Sequence, residues 1–211
     1  VAVLAREQGL ICRPIGDVVI LMPPLASTVE QLEDMVRIVG DSIKRATEEE
    51  GVGYQNSFLR TDGKGLPFLH LKAGGSVSPA SHFTVDHRLH YIYQEGRNVY
   101  RYAVTDMSDD VMEVMKLGNL KAEDVNWVVP HEANLRIIEA VAKRADIPLE
   151  KVMINIEHYG NTSSASIPLV LWDNEAKLKK GDNVVLTAFG AGFTHGASFY
   201  KWGYDGAAMA D

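Results

Sequence analysis

One cysteine, Cys12, stands in 211 residues. A disulfide framework needs pairs of thiols and a cysteine zinc site needs several, so both are excluded. Long apolar runs are missing too. Nothing approaches the roughly 20 consecutive apolar residues that span a bilayer. The opening residues, VAVLAREQGL, lack the basic and then apolar order of a secretion signal. The expectation is a soluble cytoplasmic protein without a membrane partner. Positive charge is also short: 21 Lys and Arg face 28 Asp and Glu, a net charge of −7. A general nucleic-acid binder carries a basic surface, so that class falls away. Disorder needs low hydrophobicity, whereas 46% of these residues are hydrophobic. No internal repeat is present.

What is there reads as two unequal parts, because the texture changes near residues 48–53. In residues 1–50, Asp17–Leu21 is strand-like, Pro23-Pro24 makes a turn, and a helix follows over about Thr28–Ala46. Ser27 or Thr28 can cap it, with Glu30 or Gln31 completing a capping box. Val29, Leu32, Val36, Val39 and Ile43 recur at helical spacing. The helix dissolves into Glu48-Glu49-Glu50-Gly51. Residues 51–211 alternate. Leu59–Lys72 looks loop-rich or composed of short strands, and His87–Leu117 mostly helical. Val125–Val129 is a strand ending at Pro130, followed by a helix over about Ala133–Ala145. Val152–Ile156 is a strand, Ser164–Leu178 a helix capped by Thr162 or Ser163, and Asn183–Phe189 and Phe193–Trp202 are strands. This alternation predicts an α/β layered domain.

Two residues stand at strand-to-helix corners, where α/β domains present ligands. His131 directly follows VNWVVP, and Asn161 follows VMINIEHYG. A neutral imidazole and an amide each donate a hydrogen bond. Two such donors aimed at one carbonyl oxygen would stabilise a developing enolate. The plainer readings are a packed or capping histidine and a turn asparagine. The loop Phe189-Gly190-Ala191-Gly192-Phe193 is either a tight turn or a backbone that closely approaches a substrate. It opens no helix, so it is not a phosphate cradle. His82, His87 and His90 with Asp86 hint at a metal, and solvated surface histidines are the plainer account. Cys12 reads as a small buried thiol.

The strings VVPHEANLRIIEAVAKR (128–144), YGNTSSASIP (159–168) and LTAFGAGFTHGA (186–197) resemble the C-terminal half of a β-ketoacyl-ACP synthase III. So do LRTDGKGLPFLHLKAGGS (59–76) and HYIYQEGRNVYRYAV (90–104). The resemblance runs over about residues 52–204. It implies the C-terminal half of a thiolase-like α/β fold, preceded here by a short strand-helix segment. It also implies an acyltransferase of fatty acid biosynthesis that condenses an acyl-CoA primer with malonyl-ACP and releases CO₂. By resemblance, His131 and Asn161 belong to a Cys–His–Asn triad. Glu132, Ala133, Asn134, Leu135 and Arg136 match the acyl-carrier-protein and pantetheine contact region. Phe189, Gly190, Ala191 and Gly192 match the loop that closes the site and lends an N–H to the oxyanion. The implied partners are an acyl carrier protein, a CoA thioester, and a second copy or a complementary N-terminal half. No cofactor or metal is implied.

Three departures from the family pattern stand out. Its nucleophilic cysteine belongs to the N-terminal half, and Cys12 is in no similar context. Glu132 stands where Gln is usual, and His195 where Trp is common. The 211 residues by themselves are expected to carry the decarboxylation donors without the nucleophile. The alternative is a non-catalytic interaction module that needs its other half on a second chain. GLICRPIGDVVILMPPLASTVEQLEDMVRIVGDSI, within residues 1–50, resembles the C-terminal tail of class III pyridoxal-phosphate aminotransferases. That family's cofactor lysine has no counterpart in these residues, so pyridoxal phosphate is not expected.

Overall fold

The computed structural model describes residues 13–15, 18–20, 28–47 and 51–206. The chain divides into two compact units, Val1–Gly53 and Tyr54–Asp211. In the first, β1 (Arg13–Ile15) pairs antiparallel with β2 (Val18–Ile20), with Arg13 opposite Ile20. The helix α1 (Val29–Thr47) follows. Thr28 is its cap: the Gln31 N–H donates to Thr28 Oγ1 at 3.2 Å, and the Thr28 N–H donates to Gln31 Oε1 at 2.9 Å. That is the reciprocal capping box, with Gln31 rather than Glu30 as its second member. Of the apolar stripe, Val39 is buried whereas Val36 is exposed. Cys12, Pro23-Pro24 and Glu48–Glu50 lie outside the described residues.

The second unit is built on a four-stranded sheet. Its order is β3 (Gly53–Thr61), β8 (Thr194–Lys201), β7 (Asn183–Gly190), β6 (Trp127–Pro130). β6 and β7 are parallel, with Trp127 opposite Val184 and Pro130 opposite Thr187. β7 and β8 form an antiparallel hairpin from Asn183–Lys201 to Gly190–Thr194. Side chains alternate between faces along β7. Val185 meets Val111, Val114, Ile138 and Phe199 on one face, whereas Val184 meets Val129, Met153, Val170 and Leu178 on the other. The first face is covered by α3 (Gly96–Leu117) and α4 (Leu135–Arg144). Val99, Ala103, Met107 and Val111 recur every four residues on α3, which is why that helix buries one stripe. The second face carries the short helix α6 (Ser166–Asp173).

Several expected elements change on folding. The segment Leu59–Lys72, expected to be loop-rich or composed of short strands, holds the end of β3, a single helical turn at Gly63–Gly65 and a short strand at Leu69–Leu71. β3 itself begins ahead of that segment and runs nine residues because it has β8 to pair with. The helix expected from His87 starts at Gly96. Arg88 sits at φ +57, which interrupts any helix there, and β5 (Ile92–Gln94) pairs with β4 (Leu69–Leu71) instead. His87 and His90 therefore share no helix face. His87 Nδ1 lies 2.8 Å from the Phe83 carbonyl oxygen, and His90 Nε2 lies 2.9 Å from Thr84 Oγ1, on and beside the short helix α2 (His82–Asp86). Val152–Ile156 is not a strand. Val152 makes one bridge to Val128, and the Met153 N–H donates to the Val128 carbonyl. The chain then enters α5 (Ile156–Tyr159), with the Asn155 amide donating to Asp173 at 2.8 Å. The helix expected over Ser164–Leu178 is broken at both ends. Ser163 has φ +54, and the buried Asn174 turns its amide onto the Val170 carbonyl at 2.8 Å, closing α6.

Candidate active site

His131 follows β6 directly, and its N–H donates to the Thr187 carbonyl at 2.8 Å, extending the parallel ladder by one step. That bond fixes the backbone from which the imidazole projects. The ring is half-buried and lines a groove of about 780 Å³, together with Leu186, Phe189, Ser163, Ser164 and Ile167. Its Nδ1 lies 2.7 Å from Oγ of Ser166, the first residue of α6. Burial holds the His131 pKa below the ordinary imidazole value, so the ring is neutral near pH 7.

Asn161 is exposed and does not itself line the groove; Ser163, two residues on, does. The Asn161 Oδ1 accepts from the Ser163 N–H at 2.9 Å. This is the Asx turn that the plainer reading described. It also leaves the amide nitrogen of Asn161, a donor, without a hydrogen bond among the described residues. The Ser166 hydroxyl reaches the Ser163 carbonyl at 2.9 Å. His131, Ser166, Ser163 and Asn161 are thus joined in one hydrogen-bonded chain. Thr162 and Ser163 provide no side-chain cap to the helix.

The glycine loop divides. Phe189 and Gly190 end β7 and line the groove. Ala191 is exposed, and Gly192 sits at φ +140, a conformation that a side chain would strain. Phe193 anchors the loop. It is 1% exposed, packs its ring at a tilt against Phe189 with centroids 4.7 Å apart, and exchanges two backbone hydrogen bonds with Asp62 at 2.6 and 2.7 Å.

The segment Glu132–Arg136 divides too. Ala133, Asn134, Leu135 and Arg136 are exposed. Asn134 caps α4, its Oδ1 accepting from the Arg136 N–H at 2.9 Å. Glu132 is no surface contact: it is fully buried, and neither carboxylate oxygen reaches a hydrogen-bond partner. Burial pushes its pKa up to about 7. The nearby amides of Asn155 and Ile156 pull it down and the Glu157 charge pushes it up. The carboxyl that Glu132 brings where Gln is usual therefore lies inside the fold. Among the described residues, no group of three or more His, Cys, Asp and Glu side chains is placed to hold a metal.

Two residues that matter here were not singled out in the sequence. Ser166 lay inside the quoted YGNTSSASIP string, with no local sign that it faces His131. Asp110 left a clearer signal, being a carboxylate on the buried stripe of α3, three residues after Met107.

Residues 115–202 match the family model described as 3-Oxoacyl-[acyl-carrier-protein (ACP)] synthase III C terminal. A β-ketoacyl-[acyl-carrier-protein] synthase III of Phocaeicola vulgatus is 62% identical over 164 residues, which are 78% of this chain and 48% of that protein. One of Porphyromonas gingivalis is 56% identical over 170 residues, 81% of this chain and 50% of that protein. The chain spans about half the length of the curated relatives it matches. Among solved structures, the synthase III of Thermus thermophilus superposes with a TM-score of 0.63 at 37% identity, covering 75% of this chain and 48% of that one. That of Pseudomonas aeruginosa gives a TM-score of 0.65 at 35% identity, covering 74% and 48%. The chain therefore has the fold of the C-terminal half of a β-ketoacyl-[acyl-carrier-protein] synthase III, and its residues 115–202 are similar to that family's C-terminal domain.

Proposed function

We propose that the chain supplies the decarboxylating half of a synthase III-type condensation between an acyl-CoA and malonyl-ACP in cytoplasmic fatty acid synthesis. The observation that carries this reading is His131, neutral and groove-lining at the end of β6, linked through Ser166 and Ser163 to the exposed amide of Asn161. In decarboxylation, the bond between the malonyl carboxylate and the α-carbon breaks. Its electron pair moves to the α-carbon and charge builds on the thioester oxygen as an enolate. His131 and Asn161 act there as hydrogen-bond donors, and the charge-stabilising effect of such donors needs no covalent step. Phe189–Gly192 supports a closing loop with a backbone donor. The exposed Ala133, Asn134, Leu135 and Arg136 make the surface that meets the pantetheine arm and the carrier protein.

The acyl-holding nucleophile belongs to the N-terminal half of the fold, and the partners are an acyl carrier protein, a CoA thioester, and a second copy of the chain or a complementary N-terminal half. The chemistry draws on the two thioesters and no cofactor. Residues 1–50 we read separately, on Arg13-Pro14 and Gly16-Asp17-Val18 followed by Pro23-Pro24-Leu25, as an aminotransferase-type tail without pyridoxal chemistry.

The test is release of CO₂ from malonyl-ACP by the purified chain. Turnover that falls about a hundredfold or more in His131→Ala, the usual effect of removing an oxyanion donor, supports the reading. A folded chain that never decarboxylates, even when supplemented with the N-terminal half of a related synthase, overturns it and leaves the interaction-module alternative.

A further inference from the structure

Ser166 stands where three hydrogen-bonding groups meet. Its Oγ lies 2.7 Å from His131 Nδ1, 2.9 Å from the Ser163 carbonyl oxygen and 3.4 Å from the backbone nitrogen of Glu132. The residue is 2% exposed, so water does not compete for these bonds. A hydroxyl has one proton to give and two lone pairs to accept with. The Glu132 N–H addresses one lone pair. The single proton then goes either to the Ser163 carbonyl or to His131.

These two arrangements have opposite consequences for the imidazole. With the hydroxyl turned to Ser163, Nδ1 of His131 must carry a proton, and neutral His131 presents a bare Nε2. With the hydroxyl turned to Nδ1, the ring proton sits on Nε2, because the hydrogen bond at one ring nitrogen decides the state of the other. The Ser163 carbonyl also accepts from the backbone N–H of Ser166. Turning the hydroxyl away therefore leaves no orphaned acceptor.

We propose that Ser166 is the positioning residue that makes His131 a donor at Nε2, by turning its hydroxyl from the Ser163 carbonyl onto Nδ1. The inference rests on the reading of His131 as an enolate-stabilising donor, since a bare Nε2 would repel the oxyanion. It adds a further property. When His131 takes up a second proton, Nδ1–H donates to Ser166, and the hydroxyl returns to Ser163. One buried serine thus keeps the ring in place in both charge states while Nε2 remains a donor in each.

The test is the tautomer of His131 in the purified chain, read by heteronuclear NMR of ring-labelled histidine above its titration. Wild type is expected to show the proton on Nε2, with Nδ1 shifted as a hydrogen-bond acceptor. Ser166→Ala is expected to lose that acceptor shift and at least about tenfold in malonyl-ACP decarboxylation, by analogy with orienting residues in other histidine sites. Ser166→Thr, which keeps the hydroxyl, should restore both. A proton on Nδ1 in wild type overturns the inference, whether or not the chain decarboxylates. So does a Ser166→Ala spectrum unchanged at His131. If Ser166→Ala does not fold, the wild-type tautomer alone decides. The expected tautomers without any decarboxylation uphold the role of Ser166 and count against the proposed function instead.

Discussion

Nδ1 of His195 lies 2.6 Å from Oδ2 of Asp110, with the two side chains 7% and 1% exposed. One comes from β8 and the other from α3, 85 residues apart in the chain. Asp106 stands further off, 4.0 Å from Nε2. Burial raises the pKa of both carboxyls, while His195 pulls each back down. This arrangement accounts for a departure that the sequence showed without a reason, a histidine where tryptophan is common. An imidazole carries two ring nitrogens into a buried site, and each needs a partner. Asp110 provides one on the facing helix.

The pair should behave as one unit. Removing either member leaves a buried polar group alone, which costs about 3 kcal/mol in such sites. Asp110→Ala and His195→Ala are each expected to lose about that much in chemical denaturation. The double variant should lose clearly less than the sum, because the second substitution removes a group already stranded. Additive losses would show that the two side chains do not interact.

Glu132 should make stability depend on pH in one direction. Its carboxyl titrates at about 7 in the fold against an ordinary 4.5, because burial disfavours the charge. Below 4.5 it is protonated in both states, and its contribution is fully present. As pH rises, the unfolded chain gives up the proton first, so stability falls between 4.5 and 7 and stays low above. The shift corresponds to about 3 kcal/mol. Glu132→Gln should therefore gain up to about that amount at mildly alkaline pH and almost nothing in acid. Equal gains at both ends of the range would mean that the carboxyl does not titrate as its burial implies.

Gly196 should tolerate no side chain. A Cβ there would stand 2.7 Å from the Phe58 carbonyl oxygen and 3.2 Å from the Leu59 Cα, both backbone atoms of the neighbouring strand. Gly196→Ala should push β3 off β8 and cost about 2 kcal/mol, as overpacking does elsewhere. Amide hydrogen exchange should show faster opening over Gly53–Thr61 than over β7. Unchanged protection of β3 would contradict the close approach.

Arg144 offers a contrast. Its guanidinium donates to Asp109 at 2.9 Å, but both side chains are about half exposed. Exposed pairs contribute about 0–1 kcal/mol. Arg144→Ala should leave the unfolding midpoint nearly unchanged, and a loss comparable to that of Asp110→Ala would show a role beyond the ion pair.

How much of this was legible in the sequence depended on the range of the interaction. The strands over Val125–Val129 and Asn183–Phe189, the hairpin after the glycine loop and the helix after Asn134 were all readable. Each is set by an apolar period or a turn signal within a few residues. The capping box at Thr28 was readable for the same reason. Val152–Ile156 was misread because its apolar run resembles a strand, whereas its backbone meets a partner at one bridge only and then bends at Asn155. The first part of β3 and the strand β5 went unrecognised because their stability comes from distant partners rather than from their own period.

The sequence by itself determined the α/β class and the placing of His131 at a strand end, since local pattern encodes these. Tertiary structure alone decided that Ser166 addresses His131 across 35 residues, that Asp110 addresses His195 across 85, and that Glu132 faces inward. The physical reason is the same in each case. A polar side chain's chemistry is set by what excludes water from it and by what donates to it, and in this fold both come from elements far away along the chain.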